Sequence, residues 1–431
     1  MTSTTTDYRL DGIYKQRQDD FYMQRVKLPA GVISALQART VAAIATHFGQ
    51  GVIHLTSRGS MEIHWLHESD LPRVKRELAM AGLTARCACG GAVRGITCAS
   101  QGAQGFPILE TLARRLHRHF TGNPRFERLP KKFKIGIEAD TSGGRHLIQD
   151  VGLVLSSSEG GCARYDIWIA GGLGKEPRPG FLMAERIAEE RIIPIIEAVV
   201  AVYATHAPPP KRLKFLAAEF GEAKLRQLIE AEAVFHEEIP VVSGLADHFV
   251  QATEGRQRLE LPVLAGQLTA SQLEQIISVA EQQAEGVLMV TANQDIALLL
   301  APGSDAAALL QTLQQTTGLA ADGLPPALRI CSGSHECRMG LTATRELAGE
   351  IRTHIGEQGQ KLSWALSGCH NSCTQPQLAD VGIVTSSLVK DAQGERIPRF
   401  DLYRRDDGGL GNIVERSLTR DELVGKVKAI G

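Results

Sequence analysis

The chain has 431 residues, of which 43% are hydrophobic and 22% charged, a composition typical of globular proteins with two or three domains. Its formal net charge of −1 argues against partners that bind through a strong overall field, such as nucleic acids or anionic membranes. No basic segment followed by an apolar one opens the sequence, and no run approaches the ~18 apolar residues of a membrane span. These features predict a cytoplasmic protein.

The first recognisable unit is a helix followed by a hairpin, in residues 28–65. A Leu-Pro start precedes an amphipathic helical stretch, and a Gly-Val turn then leads into two strands of alternating apolar residues around a Thr. Residues 261–301 show the same features in the same order. The recurrence predicts two α+β halves packed as one pseudo-symmetric unit.

The segments that follow these units also correspond. Each contains a Cys, a predicted helix, a predicted strand and an Asp-Val-Gly strand: Cys98, 107–120, 133–137 and 150–154 in the first copy, and Cys331, 342–356, 362–366 and 380–384 in the second. Between the copies, the Pro-rich stretch 207–212 predicts a bend, and the residues from there to about 235 favour helix. A duplicated chain has a seam between its copies, where large ligands often bind, so we expect the functional site there.

Four of the eight cysteines form two close pairs near the C-terminus, Cys331 with Cys337 and Cys369 with Cys373. Thiolates bind iron–sulfur clusters, zinc or cuprous copper, and in a reducing compartment close pairs are more often ligands than disulfides. The wider pair fits a zinc knuckle poorly, whereas a cubane cluster accepts unequal spacings. A [4Fe–4S] cluster is therefore favoured, with zinc and buried structural thiols as the alternatives.

The other four cysteines complete no ligand set: Cys87, Cys89, Cys98 and Cys162. Cys98 occupies the position in the first copy that corresponds to Cys331 in the second. This correspondence indicates a vestige of the duplication rather than a second metal site.

With these pairs, the chain resembles the siroheme-dependent sulfite and nitrite reductases over nearly all of residues 12–386. The matching segments are GIYKQRQDDFYMQRVKLPAGVI (12–33), HLTSRG (54–59), LPKKFKIGIEAD (129–140), GGLGKEP (171–177) and SGCHNSCTQPQLADVGIV (367–384). The resemblance implies an α+β, pseudo-two-fold duplicated fold with ferredoxin-like half-domains and two cofactor-binding α/β domains. We expect the half-domains at 1–80 and 236–322, and the cofactor-binding domains at 81–235 and 323–431.

The resemblance also implies a [4Fe–4S] cluster on the four paired cysteines and a siroheme whose iron shares Cys373 with the cluster. A shared thiolate would couple the two centres during a six-electron reduction. Three further residues match family contacts to the siroheme carboxylates: Arg58, with Thr56 and Asn371 as weaker candidates. His54 and Glu62 depart from the family pattern, and an acidic residue fits poorly beside carboxylates, so neither is expected to contact the cofactor.

Sulfite and nitrite are small anions, and the resemblance places a quartet of cations around them: Arg25, Arg94, Lys132 and Lys134. The two lysines are two residues apart on a predicted strand, so both should point to one face. Arginine provides fixed donors, whereas a lysine whose pKa is lowered by neighbouring cations can donate protons.

Sulfite is favoured over nitrite because, within the resemblance, sulfite reductases tend to carry Lys-x-Lys at Lys132 and Lys134, and a dianion gains more from an extra cation. The predicted function is the six-electron reduction of sulfite to sulfide, with nitrite reduction to ammonia as the alternative. A tetrapyrrole hydroxylase similar to the precorrin-3B synthases is disfavoured by the KQRQDDFYM segment, and an electron-transfer subunit without turnover remains open. Since no flavin or nicotinamide module is visible, electrons should come from an external donor, a ferredoxin or a partner subunit.

Overall fold

The computed structural model describes residues 8–158, 162–236, 255–320, 327–406 and 408–430. The strands are β1 (Ile13–Lys15), β2 (Phe21–Val26), β3 (Val32–Ser34), β4 (Val52–Thr56), β5 (Ser60–His67), β6 (Thr97–Cys98), β7 (Ile135–Glu138), β8 (Val151–Ser157), β9 (Arg164–Ile169), β10 (Phe181–Ala188), β11 (Arg258–Leu261), β12 (Gln267–Thr269), β13 (Val287–Val290), β14 (Ile296–Leu299), β15 (Leu328–Ile330), β16 (Trp364–Ser367), β17 (Val381–Lys390), β18 (Arg396–Arg404) and β19 (Asn412–Leu418). The helices are α1 (Ala35–Phe48), α2 (Leu71–Met80), α3 (Phe106–Phe120), α4 (Ile192–His206), α5 (Leu213–Phe220), α6 (Glu222–His236), α7 (Ala270–Gln283), α8 (Ala306–Thr317), α9 (Gly333–Glu336), α10 (Thr344–Arg352) and α11 (Arg420–Ile430). The N-terminal residues 1–7 and the expected domain boundary at 322/323 lie outside the described residues.

Each ferredoxin-like half contains the same local turn before its first helix. Pro29–Gly31 and Leu264–Gly266 are short 3-10 turns, and the central alanine of each has a positive φ, 53° and 55° respectively. Ser34 and Thr269 then begin α1 and α7 through capping boxes, in which the side chain of the cap and that of a following Gln satisfy each other's backbone amides. The two copies therefore repeat at the level of single residues.

The two half-domains exchange a strand. The first-copy strand β3 completes the second sheet, in the order β11-β14-β13-β3, and the second-copy strand β12 completes the first, in the order β1-β2-β5-β4-β12. The antiparallel registers correspond, with Ser34 opposite Val287 and Thr269 opposite Val52. Apolar residues of both halves form one continuous core, so the halves make a single interlocked unit.

The two remaining sheets have the same arrangement, β10-β9-β8-β7-β6 and β15-β16-β17-β18-β19. In each sheet the strand that begins at the Val of Asp-Val-Gly pairs parallel with one neighbour and antiparallel with the other. The Oδ2 atom of Asp150 accepts the backbone amide of Lys134 at 2.8 Å, and that of Asp380 accepts the amide of Ser363 at 2.7 Å. These equivalent contacts confirm the duplicated α+β fold that the repeats predicted.

Helices α3 to α6 cover the first of these two sheets and share its apolar core. The Pro-rich stretch 207–212 joins α4 to α5 as a turn, and the helical segment after it extends to His236, as predicted. Over the described ranges, no helix has both the length and the apolar character needed to cross a membrane.

The strand predicted at residues 133–137 is shorter than expected. β7 begins at Ile135, and Phe133 forms an isolated parallel bridge with Val93. The amide of Lys134 donates to the Asp150 carboxylate instead of to a neighbouring strand, which explains the later start. Lys132 and Lys134 therefore lie before β7 and not on one face of a strand, although both line one cavity.

Candidate cofactor and anion site

A cavity of about 1020 Å³ lies at the seam between the two copies. Residues of the β4–β5 hairpin and of the segment before β7 form one side, and the loops after β15 and β16 form the other. Its basic lining residues far outnumber the two carboxylates, Glu62 and Glu336; they are Arg9, Lys15, Arg25, Lys27, Arg58, Arg94, Lys131, Lys132, Lys134 and Arg338. A cavity of this size and charge suits a large polyanion.

The turn between β4 and β5 positions Arg58. Thr56 Oγ1 accepts the backbone amides of Arg58 at 3.3 Å and Ser60 at 3.2 Å, which holds the turn closed. The guanidinium donates to Gln149 Oε1 at 3.1 Å and to a backbone carbonyl at 3.0 Å. Burial, with a smaller effect of the neighbouring Arg94, lowers the pKa of Arg58 to about 9, as expected for a cation among cations.

Arg25 and Arg94 donate to the same backbone carbonyl, that of Ala88. Arg94 also donates to Gly90 O at 2.7 Å, and its buried Nε has no hydrogen-bond partner in the described part of the chain. Arg25, on β2, donates from Nε to Glu62 Oε1 at 2.9 Å. Both arginines are thus fixed in the cavity wall by loop carbonyls and one carboxylate.

Lys132 and Lys134 extend the cationic wall toward the cysteines. Burial and then Arg212 lower the pKa of Lys132 to about 8, while the Cys373 thiolate acts to raise it. Burial, followed by Arg58 and Lys132, holds the pKa of Lys134 well below its usual range. Lys132 can therefore bind an anion as an ammonium group and release a proton near its pKa of about 8.

Two loops of the second copy bring the four paired thiols together. Cys331 follows β15, Cys337 follows α9, and Cys369 and Cys373 follow β16. Gly368 donates its amide to Cys331 Sγ at 3.1 Å. Burial and then Cys373 raise the pKa of Cys331 to about 12 and that of Cys369 to about 11, so a bound cation would be needed to hold these two as thiolates.

The spacing of the sulfur atoms distinguishes a cluster from a single metal ion. A tetrahedral zinc with Zn–S bonds of ~2.3 Å needs its sulfur ligands only ~3.8 Å apart. Among the residues that the structure describes, no three of these sulfurs lie within 4.8 Å of one another; the group that does meet this limit is His54, Glu62 and His64. The four thiols are therefore not gathered as closely as a tetrahedral zinc site requires.

Residues of the first copy hold the ligand loops of the second. Ser57 Oγ donates to the backbone carbonyl of Cys373 at 2.5 Å, and Gln375 Nε2 donates back to Ser57 O at 3.2 Å. In the β1–β2 loop, Arg17 donates its amide to Glu336 O at 2.8 Å. The position of each cysteine pair thus depends on the packing of the two copies.

All of the predicted site residues except one line the cavity. The residues that line the cavity are Arg25, Thr56, Arg58, Arg94, Lys132, Lys134, Cys331, Cys337, Asn371 and Cys373. Cys369 is in the same loop as Cys373 but does not line the cavity. His54 and Glu62, which we did not expect at the cofactor, line it as well.

Sequence reasoning missed five cations of the cavity wall and one histidine: Arg9, Lys15, Lys27, Lys131, Arg338 and His64. Lys27 and Lys131 fall within the segments that carry the family resemblance, and this location alone could have marked them as residues of the site. Arg338 and His64 lie outside those segments, and nothing in their local pattern marks them.

A duplicated α+β fold whose seam joins four paired thiols to a cationic cavity defines a class of protein. Such a protein couples an iron–sulfur cluster to a large anionic cofactor. The second copy contributes the paired thiols, and the first copy contributes most of the cations.

Comparisons with known proteins agree with this class. The chain is 24% identical to the assimilatory ferredoxin-dependent nitrite reductase of Haloferax mediterranei, over 99% of this chain and 81% of that protein. It is 26% identical to sulfite reductase [ferredoxin] 2 of Mycolicibacterium paratuberculosis, over 94% of this chain and 77% of that protein. The solved structure of the Mycobacterium tuberculosis NirA protein superposes with a TM-score of 0.82 at 23% identity, over 98% of this chain and 85% of that one, which shows a shared fold.

Two family models match the chain. Residues 92–236 match the nitrite and sulphite reductase 4Fe-4S domain, and residues 14–81 and 250–316 match the nitrite/sulfite reductase ferredoxin-like half domain. Together the matches cover more than half of the sequence, and the chain belongs to the nitrite and sulfite reductase family. It is an oxidoreductase, and its cofactors are a [4Fe–4S] cluster and a siroheme.

Proposed function

We propose that this chain catalyses the six-electron reduction of sulfite to sulfide. The observation that carries the proposal is the pair Lys132 and Lys134, which open onto the same cavity as Arg94 and Cys373. Within the described residues, neither ammonium has a carboxylate within 4.0 Å, so both remain available to an anion. A dianion gains about twice as much as a monoanion from each such cation.

The four paired cysteines are proposed to hold the cluster, and Cys373 is proposed to be shared with the siroheme iron. Arg58, Thr56 and Asn371 line the cavity where the siroheme carboxylates would lie. The bound cofactors supply the electrons and the iron at which the anion is reduced. The protein then has to orient the anion and provide protons as its oxygens leave as water.

Those two tasks divide between the arginines and the lysines of the quartet. Arg94 is held by backbone carbonyls, so it can orient an oxygen without moving. Lys132, with its pKa lowered to about 8, can donate a proton at neutral pH and be reprotonated from solvent. Lys134 lies beside it and is expected to act in the same way once an anion is bound.

An external ferredoxin is the proposed electron donor. The relatives from Haloferax mediterranei and Mycolicibacterium paratuberculosis carry ferredoxin in their names. A partner subunit that contains its own redox centre is the alternative source.

Nitrite reduction to ammonia is the second candidate, and one contact favours it. The cation Arg25 is paired with Glu62, which reduces the net charge that the quartet offers to an anion. The relatives include both nitrite and sulfite reductases.

Anaerobic turnover with a reduced ferredoxin tests the proposal. Purified protein is given sulfite and nitrite in parallel, and sulfide and ammonium are measured alongside the absorption spectrum. We expect siroheme absorption and a higher kcat/KM for sulfite than for nitrite. Ammonium production without sulfide would overturn the choice of sulfite, and cluster absorption without siroheme would support the tetrapyrrole-modifying alternative.

The Lys134→Asn variant tests the role of the second lysine. Removal of this cation should reduce kcat/KM for sulfite about tenfold and that for nitrite about threefold, since the dianion loses twice the Coulomb energy. The exposed Lys361, which is outside the cavity, is the matched control as Lys361→Asn. An unchanged ratio of the two kcat/KM values in Lys134→Asn would contradict the selectivity argument.

A further inference from the structure

A buried carboxylate is built into the cationic wall. Glu62, on β5, is only 6% exposed, and its Oε1 accepts both Nε (at 2.9 Å) and Nη2 of Arg25. Its Oε2 lies 3.2 Å from His54 Nδ1 and 3.5 Å from His64 Nε2. All four side chains line the cavity.

Arg25 and Glu62 each stabilise the ionised form of the other. Burial acts to raise the pKa of Glu62, but Arg25 and the two histidines outweigh it and hold that pKa well below its usual range. Burial also acts to lower the pKa of Arg25, but Glu62 outweighs it and raises that pKa. Glu62 and Arg25 are therefore ionised as a pair of zero net charge.

The rest of the quartet has no comparable partner. Arg94 is held by backbone carbonyls, and Lys132 and Lys134 have no carboxylate within 4.0 Å in the described ranges. The quartet therefore presents three basic groups without a carboxylate partner, together with one ion pair of zero net charge, to a bound anion. A neutral Gln at this position could still accept a hydrogen bond from Arg25 but would leave the Arg25 charge uncompensated.

We infer that Glu62 is a specificity-determining residue: by neutralising Arg25 it limits how strongly the site prefers a dianion over a monoanion. The inference rests on the proposed function, since it assumes that sulfite or nitrite binds in this cavity. Coulomb energy scales with the charge of the ligand, so one cation more or less changes the free energy of a dianion about twice as much as that of a monoanion. Glu62 thus moderates discrimination between sulfite and nitrite without touching either.

A metal ion is a less suitable partner for the same group. The ligand atoms of His54, Glu62 and His64 lie within 4.8 Å of one another. However, the Arg25 guanidinium is bonded through two nitrogens to the carboxylate and already supplies the positive charge. A second cation there would be repelled at close range.

Glu62→Gln is the principal test, with dissociation constants of sulfite and nitrite measured by titration of the siroheme absorption spectrum of the oxidised enzyme. We expect affinity for nitrite to rise about threefold and affinity for sulfite about tenfold, so that the ratio shifts about threefold toward sulfite. The same shift should appear in the ratio of kcat/KM values. Equal changes for both anions, or no change, would overturn the inference.

Two controls separate charge from structure. Glu62→Asp keeps the negative charge and should leave the sulfite-to-nitrite ratio near that of the wild type. Glu197 is a buried carboxylate that contacts Arg125 and His119 but does not line the cavity. Glu197→Gln removes a carboxylate from a similar environment and should also leave the ratio unchanged.

If Glu62→Gln fails to retain siroheme, the double variant Arg25→Met, Glu62→Gln tests whether Glu62 neutralises Arg25. Removing Arg25 and Glu62 together leaves the net charge of the site unchanged and avoids an unpaired buried charge. The affinities for both anions can therefore fall, while the ratio of the sulfite and nitrite dissociation constants stays near the wild-type value. A threefold shift toward nitrite would show that Arg25 acts as a full cation and would overturn the inference. If the wild type reduces nitrite alone, the proposed substrate is wrong, yet the ratio of dissociation constants still decides the role of Glu62.

Discussion

At the scale of single residues, Cys373 is the point where the two parts of the site meet. It is exposed, whereas the other three paired thiols are partly buried. It opens into the cavity, and Ser57 of the first copy holds its backbone carbonyl. The thiolate is also close enough to Lys132 to affect the pKa of that lysine. One sulfur can therefore face the other cysteines and the cationic cavity together, as a shared ligand requires.

Replacing this thiol tests the sharing. In Cys373→Ser we expect loss of both the siroheme absorption and most of the bound iron and sulfide, because a hydroxyl is a poor ligand for either centre. The exposed Cys162 does not line the cavity, and Cys162→Ser should keep both cofactors. Retention of a normal siroheme spectrum by Cys373→Ser would refute the shared ligand.

The lowered pKa of Lys132 predicts a pH dependence. Anion binding needs the ammonium form, which is complete below a pKa of about 8 and is lost as the pH rises through that value. We therefore expect kcat/KM for sulfite, which reports the free enzyme, to fall above about pH 8 instead of near the ordinary lysine value. In Lys132→Arg the fall should move to higher pH. An unchanged alkaline limb in that variant would assign the titration to another group.

At the scale of elements, the strand exchange depends on a close approach between the copies. Gly31 and Gly266 end the turns before β3 and β12 with φ values of +79° and +64°. A Cβ on Gly31 would lie 2.4 Å from Val290 O, and one on Gly266 would lie 2.3 Å from Leu55 O. Each turn therefore packs its glycine against a strand of the opposite copy, where a side chain has no room.

Gly266→Ala should consequently lower the free energy of unfolding by about 2 kcal/mol or more, from positive φ and the clash together. The midpoint of urea unfolding would measure the loss. Gly349, in α10, has open space around its Cα, so Gly349→Ala should stabilise the protein by up to about 1 kcal/mol. Equal midpoints for the two variants would contradict this account of the turn.

At the scale of the whole molecule, three large cores support one site. The two ferredoxin-like halves share a single core, and each α/β sheet has its own. The cavity draws its lining from the first ferredoxin-like half, from the first α/β domain and from the cysteine loops of the second. The geometry of the site is therefore a property of the assembled chain.

The shared core predicts that the ferredoxin-like halves open together. Leu268 on β12 is 1% exposed and pairs with Ile53 of the first copy, and Leu268→Ala should cost about 2–5 kcal/mol. Hydrogen exchange should then show equal loss of protection in β4 and β13. As a control, Leu423→Ala changes the core of the second α/β domain and should affect β16 first. If Leu268→Ala lost protection in the second copy alone, the two ferredoxin-like halves would not unfold as a single unit.

Much of this architecture was predictable because duplication leaves local marks. Periodic apolar residues, the Gly-Val turns and the two Asp-Val-Gly strands recur in order, and the structure places them in equivalent sheets. The strand exchange was not predictable, since β3 and β12 are three residues each and their pairing partners lie in the other copy. The start of β7 was also misplaced, because the Asp150 carboxylate takes the Lys134 amide across a separation of sixteen residues.

The sequence by itself determined the four paired thiols, the cations of motifs that resemble a known family, and the internal repeat, because each depends on residue type and spacing along the chain. Tertiary structure alone decided which of these groups meet. It placed Cys373 in the cavity with Lys132 and paired Arg25 with Glu62. Coulomb energy and metal coordination depend on distances in space, which the order of residues does not contain.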